Sequence, residues 1–181
     1  GLFITGTASS ETINGTTDNN YINGNGGTDK MVGGLGSDYY IVDSAGDTVT
    51  EDANAGYDVV ESSISWTLGA NFEALTLVGT NVSGTGNTLD NRLIGGNGND
   101  TLDGKEGNDL LIGRLGNDTF VVDGAGDQII EFASEGTDTV QSSVTWALGA
   151  NLEHLTLTGA GDIDGAGNTA SNTITGNTGN N

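Results

Sequence analysis

The sequence contains no cysteine and no proline, and its only basic residues are Lys30, Arg92, Lys105 and Arg114. Without cysteine neither a disulfide framework nor a thiol site can form, and the redox compartment stays undetermined. His154 is the only histidine, so a zinc site has no ligand set to draw on. Four positive charges against 25 acidic residues leave a formal net charge of −21. No basic patch is available to neutralise phosphates, which excludes nucleic acid as a partner, and an anionic membrane surface would repel the chain. No apolar run is long enough to cross a bilayer, and no n-region and h-region pair of a secretory signal is present. H-E-x-x-H, a Ser-His-Asp set and a phosphate-binding loop are missing too, so the chain reads as non-enzymatic. It opens at Gly1 and stops at Asn181 inside a repeat, as expected of an excerpt from a longer protein.

Glycine is abundant, at 32 of 181 residues, and hydrophobic residues make up 34%. Each interior glycine costs a helix roughly 1 kcal/mol relative to alanine, so long helices are disfavoured, and the apolar fraction is low for a wide core. Glycine-rich chains are often disordered, but the spacing here is regular. Self-repulsion among so many carboxylates opposes compaction unless cations supply the balance. Either the chain is unfolded or it carries cations.

Two repeats are nested. The stretch from Gly33 returns from Gly113, so that Trp66 matches Trp146, Asn71 matches Asn151 and Glu73 matches Glu153. A one-residue insertion near Asp162 then shifts the register, and Gly86-Asn87 matches Gly167-Asn168. The organisation is a first unit over 1–85, a second over 86–165 and the start of a third over 166–181. Such repetition implies a stacked, quasi-one-dimensional architecture.

Inside each unit runs a period of nine, over about 6–50 and 86–130. Glycines recur at Gly6, Gly15, Gly24 and Gly33, and again at Gly86, Gly95, Gly104 and Gly113. Seven places on from each register position lies an apolar residue: Ile13, Ile22, Met31, Tyr40 and Val49, then Leu93, Leu102, Leu111, Phe120 and Ile129. Five places on lies an oxygen-bearing side chain: Glu11, Asn20, Asp29, Asp38 and Asp47, then Asn91, Asp100, Asp109, Asp118 and Asp127. Each nonamer reads as a tight turn followed by a short strand with one buried apolar side chain. Two nonamers make a coil, so residues eighteen apart should stack.

The nonamer Gly95-Gly96-Asn97-Gly98-Asn99-Asp100-Thr101-Leu102-Asp103 resembles the G-G-x-G-x-D-x-U-x motif of RTX, or hemolysin-type, calcium-binding repeat proteins. The nonamers from Gly24, Gly33, Gly104 and Gly113 are close variants, whereas those from Val42 and Val122 keep the aspartate and lose the leading glycine. The resemblance implies an all-β, right-handed parallel β-roll with Ca²⁺ ions along each edge, held by turn carbonyls and the position-six aspartates. Carried over residue by residue, it implicates Asp29, Asp38, Asp47, Asp100, Asp109, Asp118 and Asp127, with the turn glycines Gly27, Gly36, Gly98, Gly107 and Gly116. Asp29 would pair with Asp47, Asp100 with Asp118 and Asp109 with Asp127. Asp38 would face the neutral Asn20, giving a weaker site. Glu11, Asn91 and Asn172 depart from aspartate, which puts ion binding at the entrances of the runs in question.

The donor chemistry suits calcium independently of the family, because Ca²⁺ takes six to eight oxygens in flexible geometry and Mg²⁺ demands a stricter octahedron. Residues 51–85 and 131–165 lack the nonamer but alternate, as in Ile64-Trp66-Leu68 with Leu75-Leu77. They are expected to continue the solenoid with larger apolar coils, Trp66 and Trp146 serving as core or cap residues. His154, aligned with Ala74, is expected at the surface beside a strand. The function these features favour is a calcium-binding structural module of a secreted bacterial protein that folds on meeting Ca²⁺ outside the cell, which suits type I secretion. The alternative is an adhesin or polysaccharide-binding accessory module, with carbohydrate or a neighbouring domain as its partner.

Overall fold

A computed structural model describes all residues, 1–181, and contains twenty short β-strands and no helix. Every strand pairing is parallel. Alternate strands go to opposite faces. One face carries an eight-stranded sheet running from Leu2–Thr5 to Gln128–Ile130, continued by the pair Trp146–Ala147 and Gly165–Ala166. The other begins with the three strands Thr12–Asn14, Lys30–Val32 and Thr48–Thr50, and continues as seven strands from Trp66–Thr67 to Thr173–Thr175. The result is a β-solenoid of about ten coils, two strands to a coil.

Between the faces lies a single file of apolar side chains. The strands are two to four residues long, so each can turn only one or two side chains inward. Ile22, Met31, Tyr40, Leu93, Leu102, Leu111 and Phe120 from the apolar column are completely buried, and they join Val60, Leu75, Val140 and Leu155 in one continuous cluster. Only 71 backbone–backbone hydrogen bonds serve 181 residues. That is well short of the roughly two-thirds of one bond per residue usual in globular domains, so side chains must hold the turns.

Coil length varies along the solenoid. Leu93 pairs with Leu111 at the expected spacing of eighteen. Past the first run of nonamers Tyr40 pairs with Val60, a coil of twenty residues, and Val60 pairs with Leu75, a coil of fifteen. The second unit repeats both steps, Phe120 with Val140 and Val140 with Leu155. The segments without nonamers thus continue the solenoid as one longer and one shorter coil, rather than as uniformly larger ones.

Equivalent strands of the two units are nine strands apart, an odd number. Tyr39–Val42 therefore lies in the eight-stranded sheet, and its counterpart Thr119–Val122 in the seven-stranded one. Successive units present equivalent side chains on opposite faces.

Candidate metal sites along the turn edges

The position-six side chains come together as the eighteen-residue period requires. The backbone N–H of Asp29 donates to Asp47 Oδ1 at 2.9 Å, that of Asp100 to Asp118 Oδ1 at 2.7 Å, and that of Asp109 to Asp127 Oδ1 at 3.1 Å. Asn20 N–H donates to Asp38 Oδ1 at 2.6 Å. At the run entrances Glu11 N–H donates to Asp29, Val82 N–H to Asp100 and Asn91 N–H to Asp109. One carboxylate oxygen thus ties each coil to the one before it. All seven aspartates are buried, the most exposed being Asp127 at 7%.

The second carboxylate oxygen divides these aspartates into two groups. In Asp47 it accepts from Asp43 and Ser44 N–H, in Asp127 from Asp123 and Gly124 N–H, and in Asp100 from Gly96 N–H. In Asp29, Asp38, Asp109 and Asp118 the buried Oδ2 has no partner. The protein's one ion pair, Lys105 with Asp103, lies on the surface and supplies no charge to them. A buried carboxylate without a compensating charge is among the costliest groups a fold can hold. Orphaned, acceptor-only oxygens on stacked turns fit a hard, oxygen-seeking cation.

The turn glycines have two separate roles. A Cβ on the leading glycine Gly33 would run into Asp38 Oδ2, and one on Gly104 into Asp109 Oδ2. Those positions need absence of bulk. Further into the turn Gly36 has φ 108° and Gly116 φ 137°, where the left-handed backbone itself calls for glycine. The carbonyl oxygens of Gly27, Gly36, Gly98, Gly107 and Gly116 accept no hydrogen bond from the chain.

The acid ladder continues past the nonamers, which the sequence reading missed. Asp38 N–H donates to Asp58 Oδ1 at 2.7 Å and Asp58 N–H to Glu73 Oε2 at 2.8 Å. In the second unit Asp118 N–H donates to Asp138 and Asp138 N–H to Glu153. A signal was present: Asp58-Val59-Val60 and Glu73-Ala74-Leu75 keep the acid–x–apolar triplet of Asp38-Tyr39-Tyr40. Glu51 and Glu131 join from the start of the following turn, each with an unpartnered buried Oε2. By contrast, Asn20 and Asn91 need no cation, since each amide oxygen closes its own turn on Thr16 or Asn87 N–H. Their amide groups donate as well, to Thr16 Oγ1 and the Phe72 carbonyl respectively.

Burial dominates the electrostatics. It pushes Asp58, Asp109 and Asp118 up to about 6, Glu51 to about 7 and Glu131 to about 8, with neighbouring carboxylates adding to the rise. Asp38 and Asp138 are raised for the same first cause.

Trp66 and Trp146 pack against the core half-buried, and in each the buried indole N–H has no partner. His154 lies within the strand His154–Leu157, between Thr139 and Thr173, and is half-buried rather than beside a strand at the surface.

A model of the family described as RTX calcium-binding nonapeptide repeat (4 copies) matches residues 5–40 and 85–120. Among curated proteins, the endo-1,3-1,4-beta-glycanase ExsH of Rhizobium meliloti (strain 1021) is 40% identical over 69 residues. That stretch covers 38% of this chain and 15% of the relative.

Proposed function

This chain is an RTX-repeat β-roll protein, and from that premise we propose that it is a calcium-folded structural module of a larger extracellular bacterial protein. The observation that carries the reading is the set of buried, unpartnered oxygens on Asp29, Asp38, Asp109 and Asp118. Those four residues, with Asp47, Asp100 and Asp127 and the free turn carbonyls, would hold the ions. Bound calcium supplies the positive charge that lets carboxylates stack in a dry interior. The two units and the start of a third would act as one stacked body rather than as separately folding domains.

The magnitudes favour coupling of folding to binding. With calcium at about 1 mM and a site Kd of about 0.1 mM, each occupied site adds about 1.4 kcal/mol. Several sites together reach the roughly 5–15 kcal/mol that stabilises a domain. In a calcium-poor cytoplasm the chain would stay extended, which suits export before folding. Circular dichroism of calcium-stripped protein at pH 8 tests this: the β signal should be absent and should return at millimolar Ca²⁺. A spectrum indifferent to calcium would overturn the proposal.

The partial match to a glycanase favours a second reading, in which the roll is a non-catalytic accessory of a polysaccharide-acting enzyme. Four basic residues in the chain point toward neutral rather than acidic glycans. A glycan array probed with and without calcium tests it, and calcium-dependent retention on neutral glucans is the expected result.

A further inference from the structure

Where the run of nonamers ends, Asp38, Glu51 and Asp58 converge, each offering a ligand oxygen within 4.8 Å of the others. Asp38 is 1% exposed and Asp58 fully buried. Asp38 Oδ2, Glu51 Oε2 and Asp58 Oδ2 all lack a hydrogen-bond partner. Their other oxygens are committed: Asp38 Oδ1 to Asn20 N–H, Asp58 Oδ1 to Asp38 N–H, and Glu51 Oε1 to the Tyr40 hydroxyl. The three are therefore held in place by one oxygen each while the other is left free. Gly33 makes room for the convergence, since a Cβ there would run into Asp38 Oδ2, Glu51 Oε1 and the Tyr40 hydroxyl together.

The second unit carries the same residues as Asp118, Glu131 and Asp138. Asp118 Oδ2 and Glu131 Oε2 are again unpartnered, and Gly113 again leaves the space. Phe120 replaces Tyr40 there, and Glu131 Oε1 is held by Gly113 N–H at 2.9 Å instead. The Asp118–Glu131 part of the arrangement thus survives a change in its supporting contacts, while Asp138 keeps its Oδ1 on Asp118 N–H.

We propose that Asp38, Glu51 and Asp58 form a three-carboxylate calcium site at the end of the nonamer run, with a counterpart at Asp118, Glu131 and Asp138. Glu51, Asp58, Glu131 and Asp138 lie outside the nonapeptide motif, so these sites differ in kind from those between two nonamer turns. Three carboxylates bring more ligand charge than a pair, and ligand charge is a main determinant of calcium affinity. The two sites are the tightest in the protein and fill first. The proposal rests on the calcium-module reading.

Calorimetric titration of calcium-stripped protein with CaCl₂ tests it, comparing the unaltered chain with the Glu51→Gln, Glu131→Gln double variant. The expected result is loss of the tightest binding class, with affinity there falling on the order of tenfold or more, while the weaker class and the calcium-induced β signal persist. An unchanged tight class in the variant would overturn the site and leave the calcium module standing. No calcium binding by the unaltered chain would overturn both. Should the double variant fail to fold, Tyr40→Phe serves, because Phe120 already occupies the equivalent position. With Tb³⁺ as the probe, tyrosine-sensitised emission should fall in Tyr40→Phe with uptake unchanged, and undiminished emission would count against an ion beside Glu51.

Discussion

Asp38 donates its backbone N–H to Asp58 Oδ1 at 2.7 Å across twenty residues, the same bond that Asp100 makes to Asp118 across eighteen. The acid ladder is therefore indifferent to coil length. The extra residues bulge out as the turn around 52–57, and the strand that follows resumes pairing in register, Tyr40 against Val60. What the ladder keeps through these coils is an oxygen-bearing side chain two places before an inward apolar residue, not a nine-residue spacing. Two expectations follow from the way those acids are held, and two more from the core and the turns.

Asp109 and Asp127 share an edge, yet their asparagine variants should diverge. Asp109 Oδ2 is buried and unpartnered, so Asp109→Asn removes a buried charge and supplies a donor amid carboxylates. We expect the metal-free chain to gain about 1–3 kcal/mol and calcium affinity to fall. Asp127 uses both oxygens on backbone N–H groups, of Asp109, Asp123 and Gly124. Asp127→Asn should instead cost the fold about 1–2 kcal/mol before any loss of calcium is counted, because an amide nitrogen cannot accept the turn bonds. The β signal remaining without calcium, together with urea titrations in saturating calcium, separates the two behaviours.

The metal-free chain should be stabilised by acid. Asp58, Asp109 and Asp118 are raised to about 6, Glu51 to about 7 and Glu131 to about 8, above the ordinary carboxylate value of about 4. Raised carboxyl groups bind more protons in the folded state than in the unfolded one. Their contribution is therefore fully present below about pH 4 and is lost as pH climbs through the folded values toward about 8. Circular dichroism of calcium-stripped protein should show β structure persisting near pH 4 and fading by pH 8. Calcium affinity should run the opposite way, rising with pH as the ligands ionise. A metal-free β signal that strengthened between these limits would contradict the electrostatic picture.

These acids also show how far the sequence alone could be read. The columns through Ile13 to Val49 and Leu93 to Ile129 were legible because a strict period of nine places one apolar residue inward per strand. The stacking of Asp29 on Asp47 followed from the same period. Asp58, Glu73, Asp138 and Glu153 were not found, since coils of twenty and fifteen residues break the period by amounts only strand pairing reveals. Glu51 and Glu131 follow no repeat position in the ladder. Their approach to the aspartates depends on the turn path and on the space beside Gly33 and Gly113, which is a three-dimensional property.

The thin core makes single apolar residues count heavily. Phe120 is fully buried and, with Val122 of the same strand, fills the interior of its coil. Phe120→Ala should cost about 3–5 kcal/mol, since neighbouring coils are tied by their ladders and cannot collapse into the cavity. The calcium midpoint of folding, followed by circular dichroism, should move to higher concentration. Phe120→Tyr should leave it near the original value, because Tyr40 fits the corresponding place in the first unit and reaches Glu51.

Arg114 offers a gain in stability. It occupies the second position of its nonamer with φ 72°, in the left-handed region, where the corresponding residue of the first unit is Gly34 with φ 101°. A side chain there strains the backbone by about 1 kcal/mol, and glycine relieves it. Glycine also frees the unfolded chain, which offsets part of the gain. The Arg114 side chain is exposed and makes no ion pair, so little else is lost on its removal. In saturating calcium Arg114→Gly should therefore raise the thermal midpoint slightly or leave it level, whereas Gly34→Arg in the first unit should lower it. Gly34→Arg carries a second cost besides the strain, because a Cβ there would run into the Thr16 carbonyl. A fall in both variants would show that Arg114 makes a contribution its backbone conformation does not account for.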